Sequence, residues 1–409
     1  MSRHTVCAWT FNTGEAGFRP AIRRQWAGIK TKDVVGIIGR EIKPRLPKGI
    51  ELGLEVHYDN EINERTAPGI AEALCKHGMY LGMITPGLHK RFAYGGPASL
   101  DPEERKAAND MCMRTVDLAY SDDLKRLWHP EAPPTIVLWN GSWGYEITGP
   151  WILEMLGLLD ESIGELISYE QKVKGGGCFW AVEPKRDEGH PKMLVPHAAS
   201  GLKLVDRVLR KYPEIDSSKV GDNMELGHEE ILNLDTAHSI AEQMMEAGDP
   251  GFAKCLKECL KQSAARKRRI APPAGRVVHL HANSQGRDGI NEGGPGQYDV
   301  DYGVAITWPN ISIARMLKDA GYRRWIGHDF QPRAHDREEY AIQRVTRSIL
   351  GWEAMDKTVG ELPLDDMRRY LERRDTATVR DLAEDAVERA RSYATTLYKQ
   401  AGVLRGDPF

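Results

Sequence analysis

Short apolar or β-branched runs recur along this chain at 5–11, 50–57, 79–85, 135–140, 178–183, 219–225, 277–281 and 324–329. Longer segments with helical periodicity separate many of them, among others 67–77, 102–120, 191–212, 229–247 and 336–352. Asp101-Pro102 followed by Glu103 and Glu104 combines an N-cap, a first-turn proline and first-turn acids, so a helix starts there. Strands alternating with helices predict parallel strands joined by right-handed crossovers. About eight such units close a (β/α)8 TIM barrel, whose active site lies where the strands end. An open doubly wound sheet is the rival, but no Gly-x-Gly-x-x-Gly follows the first strand. The expectation is therefore an α/β chain, with residues 1–352 as a TIM-barrel catalytic domain and 353–409 as a C-terminal helical extension. In that extension Val379, Leu382, Ala383, Ala386, Ala390 and Ala394 form an apolar stripe on a highly charged helix. Such a stripe must cover something, either a neighbouring subunit or its own barrel.

Composition narrows the class. The 409 residues give ample chain for a large core, and 41% hydrophobic with 28% charged residues is ordinary for a globular protein. The 56 basic and 59 acidic side chains leave a formal charge of -3, so no global field attracts a polyanion and no nucleic-acid partner is expected. No apolar run approaches the ~18 residues of a membrane span, and no basic-then-apolar signal pattern opens the chain. Six scattered cysteines without a Cys-x-x-Cys read as reduced thiols, which implies a cytoplasmic enzyme without a membrane partner.

The chemistry is concentrated in Glu183-Pro-Lys185, Glu225-Leu-Gly-His228 and Asp299-Val-Asp301, with His281 and Asp329 between and after them. Taken singly each has a bland reading: a surface salt bridge, a helix-start histidine, a loop dipeptide. Together they place many carboxylates and imidazoles at strand ends, where like charges repel unless a cation joins them. Oxygen-rich sets with one or two histidines suit Mg²⁺, Mn²⁺ or Co²⁺ better than a structural zinc. Alternation aims Glu183 and Lys185 the same way, into the barrel mouth. Gly293-Gly294-Pro295-Gly296 lacks a following helix and Walker lysine, which argues against a phosphate cradle.

With its flanks, this set resembles the xylose (glucose) isomerase family over most of the chain. The segments that carry the likeness are Trp139-Asn-Gly-Ser-Trp-Gly-Tyr-Glu146, Glu183-Pro-Lys-Arg-Asp-Glu188, Asp222-Asn-Met-Glu-Leu-Gly-His-Glu229, Tyr298-Asp-Val-Asp301 and Asp329-Phe-Gln-Pro-Arg333. The resemblance implies two divalent metal ions. Glu183, Glu225, His281 and Asp329 would hold the first, and Glu225, His228, Asp299 and Asp301 the second. It also implies aldose–ketose interconversion by a hydride shift, with Lys185, His57 and Asp301 in catalysis. Lys185 would bind the carbonyl oxygen and His57 would help open the sugar ring. Trp9, Trp139, His89 and Asn60 would line the sugar. The family's arm-held tetramers imply a homotetramer or dimer.

Departures from the family pattern touch the sugar pocket. His281 stands where xylose isomerases carry an aspartate, which removes a negative charge and favours softer ions such as Mn²⁺ or Co²⁺ over Mg²⁺. Asn60 replaces the aspartate that orients the ring-opening histidine, leaving Asp59 or Glu61 to take over. His89 replaces a wall phenylalanine and Gln331 a lysine. A longer connection over 248–276 carries Arg266-Lys-Arg-Arg269, a charge run that reads as a solvated helix end. The leading expectation is a metal-dependent sugar isomerase with an altered substrate. A sugar epimerase or lyase using proton transfer on the same barrel is the alternative, followed by a DNA-repair endonuclease and a barrel without catalysis.

Overall fold

The computed structural model describes residues 2–11, 28–139, 143–146, 148–186, 192–245, 270–271, 273–284, 304–329 and 338–403. Asp299, Asp301, Gln331 and Arg266–Arg269 lie outside the described residues.

Each of the eight sequence runs overlaps one strand of a closed parallel barrel, the first strand starting two residues before its run. They are β1 Arg3–Cys7, β2 Glu51–Tyr58, β3 Tyr80–Pro86, β4 Thr135–Trp139, β6 Phe179–Glu183, β8 Val220–Glu225, β9 Val277–His281 and β10 Ile326–His328. β1 closes the ring between β2 and β10. The chain is a (β/α)8 TIM barrel with C-terminal helices. A short antiparallel pair, β5 Gly144–Tyr145 and β7 Lys192–Met193, stands outside the barrel wall.

Local signals explain most helix ends. Asp101 caps Pro102–Ala119 by accepting from the Glu103 amide at 2.9 Å, as its acids and proline predict. Ala67–His77 stops at Gly78, whose φ of 58° is the left-handed conformation that glycine adopts freely. Two expected helices are corrected. The segment expected over 191–212 is helical only as Ala198–Lys211, because Lys192 and Met193 pair with Tyr145 and Gly144 instead. The segment expected over 229–247 divides into Leu226–Ile231 and Thr236–Met245. Asn233, at φ 58°, takes up the left-handed turn between them, a conformation asparagine tolerates.

The helices lay apolar faces on the barrel's outside, and the described apolar residues gather into a large cluster that includes Leu52, Leu54, Ile84, Ile136 and Trp180. The N-terminal end of the barrel is closed by Arg324, which is 1% exposed. Its guanidinium donates to the Val278 and Pro133 carbonyls and to Thr135 Oγ1, and lies 3.5 Å from the Phe179 ring centroid. Beside it Arg3 pairs with Glu51 and Glu131. The apolar stripe of the helix Thr376–Gln400 is consumed within the chain: Ala386, Ala390 and Ala394 are buried, and the helix packs along Glu338–Val359. Tyr398 donates to the Arg347 carbonyl, and Lys357 stands 3.7 Å over the Tyr393 ring. The chain's own helices thus cover the stripe from Ala386 to Ala394, while Val379, Leu382 and Ala383 are half-buried. The helix Glu338–Val359 itself runs through Trp352 without a break.

Candidate functional site

Parallel register aligns the strand ends so that the chemistry-bearing residues share one rim. Glu225 lies beside His281, Trp139 beside Glu183, and His281 beside Gly327, the residue two before Asp329. All four of Glu183, Glu225, His281 and Asp329 are buried. They meet around one atom. His281 Nδ1 is 3.1 Å from Glu225 Oε2, 3.7 Å from Asp329 Oδ2 and 3.8 Å from Glu183 Oε2.

His228 adds a second imidazole on the far side of Glu225. Its Nδ1 donates to the Pro184 carbonyl at 2.9 Å, which leaves Nε2 facing Glu225 Oε1 at 3.0 Å. Glu183, Glu225 and His228 each bring a ligand atom within 4.8 Å of the others. The Glu-Pro-Lys exit from β6 is therefore used at every position. Glu183 enters the cluster and Pro184 orients His228. Lys185, 2% exposed, is tied down through its amide to the Val195 carbonyl at 3.0 Å.

Neutral donors hold the carboxylates in place. Asn223 Nδ2 donates to Glu183 Oε2 at 2.6 Å and lies 3.1 Å from His281 Nδ1. Asn283 Nδ2 donates to Glu225 Oε1 at 2.7 Å, while its Oδ1 accepts from the Gly227 amide. Trp9 Nε1 donates to Asp329 Oδ1 at 2.7 Å, so the residue expected as an apolar wall also carries a polar task. Charge is not balanced. Burial, with Glu225 beside it, pushes the Glu183 carboxyl up to about 7. Burial opposes ionisation of Glu225 too, but His228 and His281 hold its carboxyl well below the usual range. Burial likewise works against a charged His281, yet Glu55 and Glu225 keep that imidazole cationic well above its ordinary pKa.

Glu55 is the residue that sequence reading missed. Fully buried on β2, it accepts from His281 Nε2 at 2.8 Å and from His279 Nε2 at 3.0 Å. Thr5 Oγ1 donates to the same carboxylate, and the Cys7 thiol approaches it at 3.4 Å. A Cβ at Gly327 would stand 2.5 Å from both Glu55 Oε1 and His281 Cδ2, so only glycine fits that point of β10. Burial raises the Glu55 carboxyl, but the two histidines outweigh it and hold it well below the usual range.

The remaining expected residues line the opposite side of the mouth. His57 packs 4.4 Å from Trp9 between ring centroids, 5.2 Å from His89 and 6.5 Å from Trp139. His89 and Trp139 meet edge to face at 4.7 Å. Of the two acids near Asn60, Glu61 takes the orienting position: its Oε2 accepts from His57 Nδ1 and from the His57 amide, both at 2.8 Å. Asp59 instead pairs with Arg91. Asn60 directs its buried Nδ2 at no acceptor, and a Cβ at Gly87 would stand 2.7 Å from it.

No family model matches the chain. Solved structures do. An L-ribulose 3-epimerase aligns at a TM-score of 0.54 and 11% identity, over 88% of this chain and 96% of that one. The chain has the xylose isomerase-like barrel fold. A provisionally named xylose isomerase from Rhodospirillum rubrum aligns at 0.53 with 14% identity, over 87% and 99%. A D-psicose 3-epimerase from Clostridium cellulolyticum, solved with D-tagatose, aligns at 0.51 with 13% identity over the same shares. Among the described residues no helix is long and apolar enough to cross a membrane.

Proposed function

We propose that this protein is a divalent-metal-dependent sugar isomerase that interconverts an aldose and a ketose. The observation that carries the reading is the convergence of Glu183, Glu225 and Asp329 on His281 Nδ1 at 3.1 to 3.8 Å. Those spacings are near the roughly 3 Å edge of an octahedron with about 2.1 Å bonds, and the donors are oxygens plus one nitrogen. Three carboxylates in a dry site repel one another, as the raised Glu183 records, and a dication removes that cost. The donor set therefore fits Mn²⁺, Mg²⁺ or Co²⁺. A second ion would use Glu225 and His228, with Asp299 and Asp301 completing it.

When bound, the ions would supply Lewis-acid polarisation of the sugar's oxygens. The protein's own groups do the rest. Lys185, buried beside Glu183, donates to the carbonyl oxygen as negative charge grows on it. His57, with Nδ1 donating to Glu61, offers Nε2 as the acid/base that opens a cyclic sugar. Trp9, Trp139 and His89 wall the pocket and exclude water, which protects a hydride moving between adjacent carbons. The free thiols of Cys7, Cys75, Cys112 and Cys178 support a cytoplasmic setting. A homotetramer or dimer remains part of the reading, now resting on the family resemblance alone.

A second reading, a sugar epimerase working by proton transfer, is favoured by one observation. Glu183 and Glu225 bring two buried carboxylates to one site, the pairing that acid/base exchange of a carbon-bound hydrogen requires. The names of two of the aligned structures agree with it. An aldose panel with Mn²⁺ decides between the two. Isomerisation of a C2-deuterated aldose that keeps its label supports the hydride shift. Complete loss of label to water, or solvent deuterium in a product of unchanged carbonyl position, supports the epimerase.

A further inference from the structure

We propose that Glu55 is a positioning residue for the metal centre: it fixes the tautomer and ring angle of His281, so that Nδ1 presents its lone pair where Glu183, Glu225 and Asp329 meet. This inference rests on the metal-binding reading of the same cluster. An imidazole can ligate only through a nitrogen without a proton, and the partner of the other nitrogen decides which one that is. An ionised carboxylate only accepts hydrogen bonds, so His281 Nε2 must carry the proton it shares with Glu55 at 2.8 Å. Without a cation Nδ1 is protonated as well, shared with Glu225 at 3.1 Å. It is this proton that an entering cation displaces, because Nδ1 is the atom on which the three acids converge while Nε2 stays committed to Glu55.

The carboxylate is itself locked from behind. His279 Nε2 at 3.0 Å and Thr5 Oγ1 both donate to Oε1, while Oε2 takes His281 and the Cys7 thiol. His279 and His281 sit two residues apart on β9 with rings nearly perpendicular, 86° between planes, so one carboxylate bridges both. Neighbouring β10 carries Gly327 where any larger residue would push into Glu55 and His281 together. β1, β2, β9 and β10 thus each contribute to holding one imidazole. No surface role competes for Glu55, which is 0% exposed and lies below the rim where a sugar would sit.

Glu55→Gln and Glu55→Ala test the proposal by titrating metal-stripped protein with Mn²⁺ in a calorimeter, with thermal midpoints recorded on the metal-free forms. Outer carboxylates behind ligating histidines typically change metal affinity by about 10–100-fold, and Glu55→Ala should fall in that range. Glu55→Gln keeps one acceptor for His281, because its amide NH₂ can donate to His279 Nε2 once the His279 proton sits on Nδ1, which has no partner to lose. It should recover most of the affinity. A shifted absorption of Co²⁺-loaded Glu55→Ala relative to the wild-type should report a displaced nitrogen ligand. Wild-type protein that binds Mn²⁺ with both variants binding equally well overturns the proposal and leaves the metal reading intact. A lowered thermal midpoint with unchanged Mn²⁺ affinity also overturns it, since that is a purely structural role. Wild-type protein that takes up no Mn²⁺, Mg²⁺ or Co²⁺ contradicts the metal reading and the proposal with it. Should Glu55→Ala fail to fold, Glu55→Asp, with its carboxylate withdrawn by one carbon, replaces it and should weaken Mn²⁺ binding similarly.

Discussion

The two ends of the barrel bury charge in opposite ways. At the N-terminal end each described cation meets acceptors within the protein: Arg324 has two carbonyls, a hydroxyl and the Phe179 face, and Arg3 has two glutamates. At the C-terminal end the acids of Glu183, Glu225 and Asp329 are held by amides, an indole and imidazoles. The amides and the indole orient a carboxylate without cancelling its charge, and even beside the imidazoles the Glu183 carboxyl stays raised. One end is held by groups of the protein alone, although Arg324 Nη1 has no partner and burial lowers the Arg324 pKa. The other is complete only with something positive in it, which is how a structural plug differs from a binding site built from equally polar residues.

The sharpest way to break this contrast is at the centre of the mouth. Glu225→Gln keeps the shape but removes a charge that faces both His281 and His228. It should abolish detectable Mn²⁺ uptake and sugar turnover, a larger effect than the about 10–100-fold expected for a residue behind the ligands. Metal content measured on purified protein checks it. Arg324→Met should do the reverse. It strands the Val278 and Pro133 carbonyls and should lower stability by roughly 2–4 kcal/mol in denaturant unfolding, with Mn²⁺ affinity unchanged.

A smaller effect should come from the histidine wall. Glu61→Ala frees the His57 ring and should reduce turnover of cyclic sugars by roughly 10–100-fold while sparing metal uptake, because general acid–base groups contribute about 10²–10⁴-fold. Comparing a cyclic aldose with one that cannot close a ring separates ring opening from the later chemistry.

The smallest change follows pH. Glu183, raised from 4.5 to about 7, stabilises the metal-free fold most below its unfolded value, and that contribution is lost as pH rises through 7. His281, held above its ordinary value by Glu55 and Glu225, acts in the same direction. Both give up protons when a cation enters, so the gain in thermal midpoint on adding Mn²⁺ should grow between about pH 5.5 and pH 8. Differential scanning of the two forms across that range reads it directly.

Much of this was legible in the chain because barrel strands are buried on both faces and announce themselves as apolar runs. The ends of Val277–His281 and Ala67–His77 fell where sequence placed them, since a strand ending in polar residues and a helix ending at Gly78 leave little freedom. Glu55 escaped for the same reason that the strands were easy. Within Leu-Gly-Leu-Glu-Val-His it reads as one acid in an apolar run, yet alternation puts it on the face of His57, and an inward glutamate in a barrel strand needs a partner. His279, two residues before His281, carried the matching signal. The stripe from Val379 to Ala394 showed that the last helix must cover something, but amphipathicity alone names no partner. Helix Glu338–Val359 of the same chain supplied it.

The central claim is that distant side chains at the strand ends share a cation. Anomalous diffraction from a crystal grown with Mn²⁺ tests it most directly. The account predicts a peak within bonding distance of His281 Nδ1, Glu183, Glu225 and Asp329. A well-ordered mouth with no peak there, or a peak that those four residues do not touch, would contradict it.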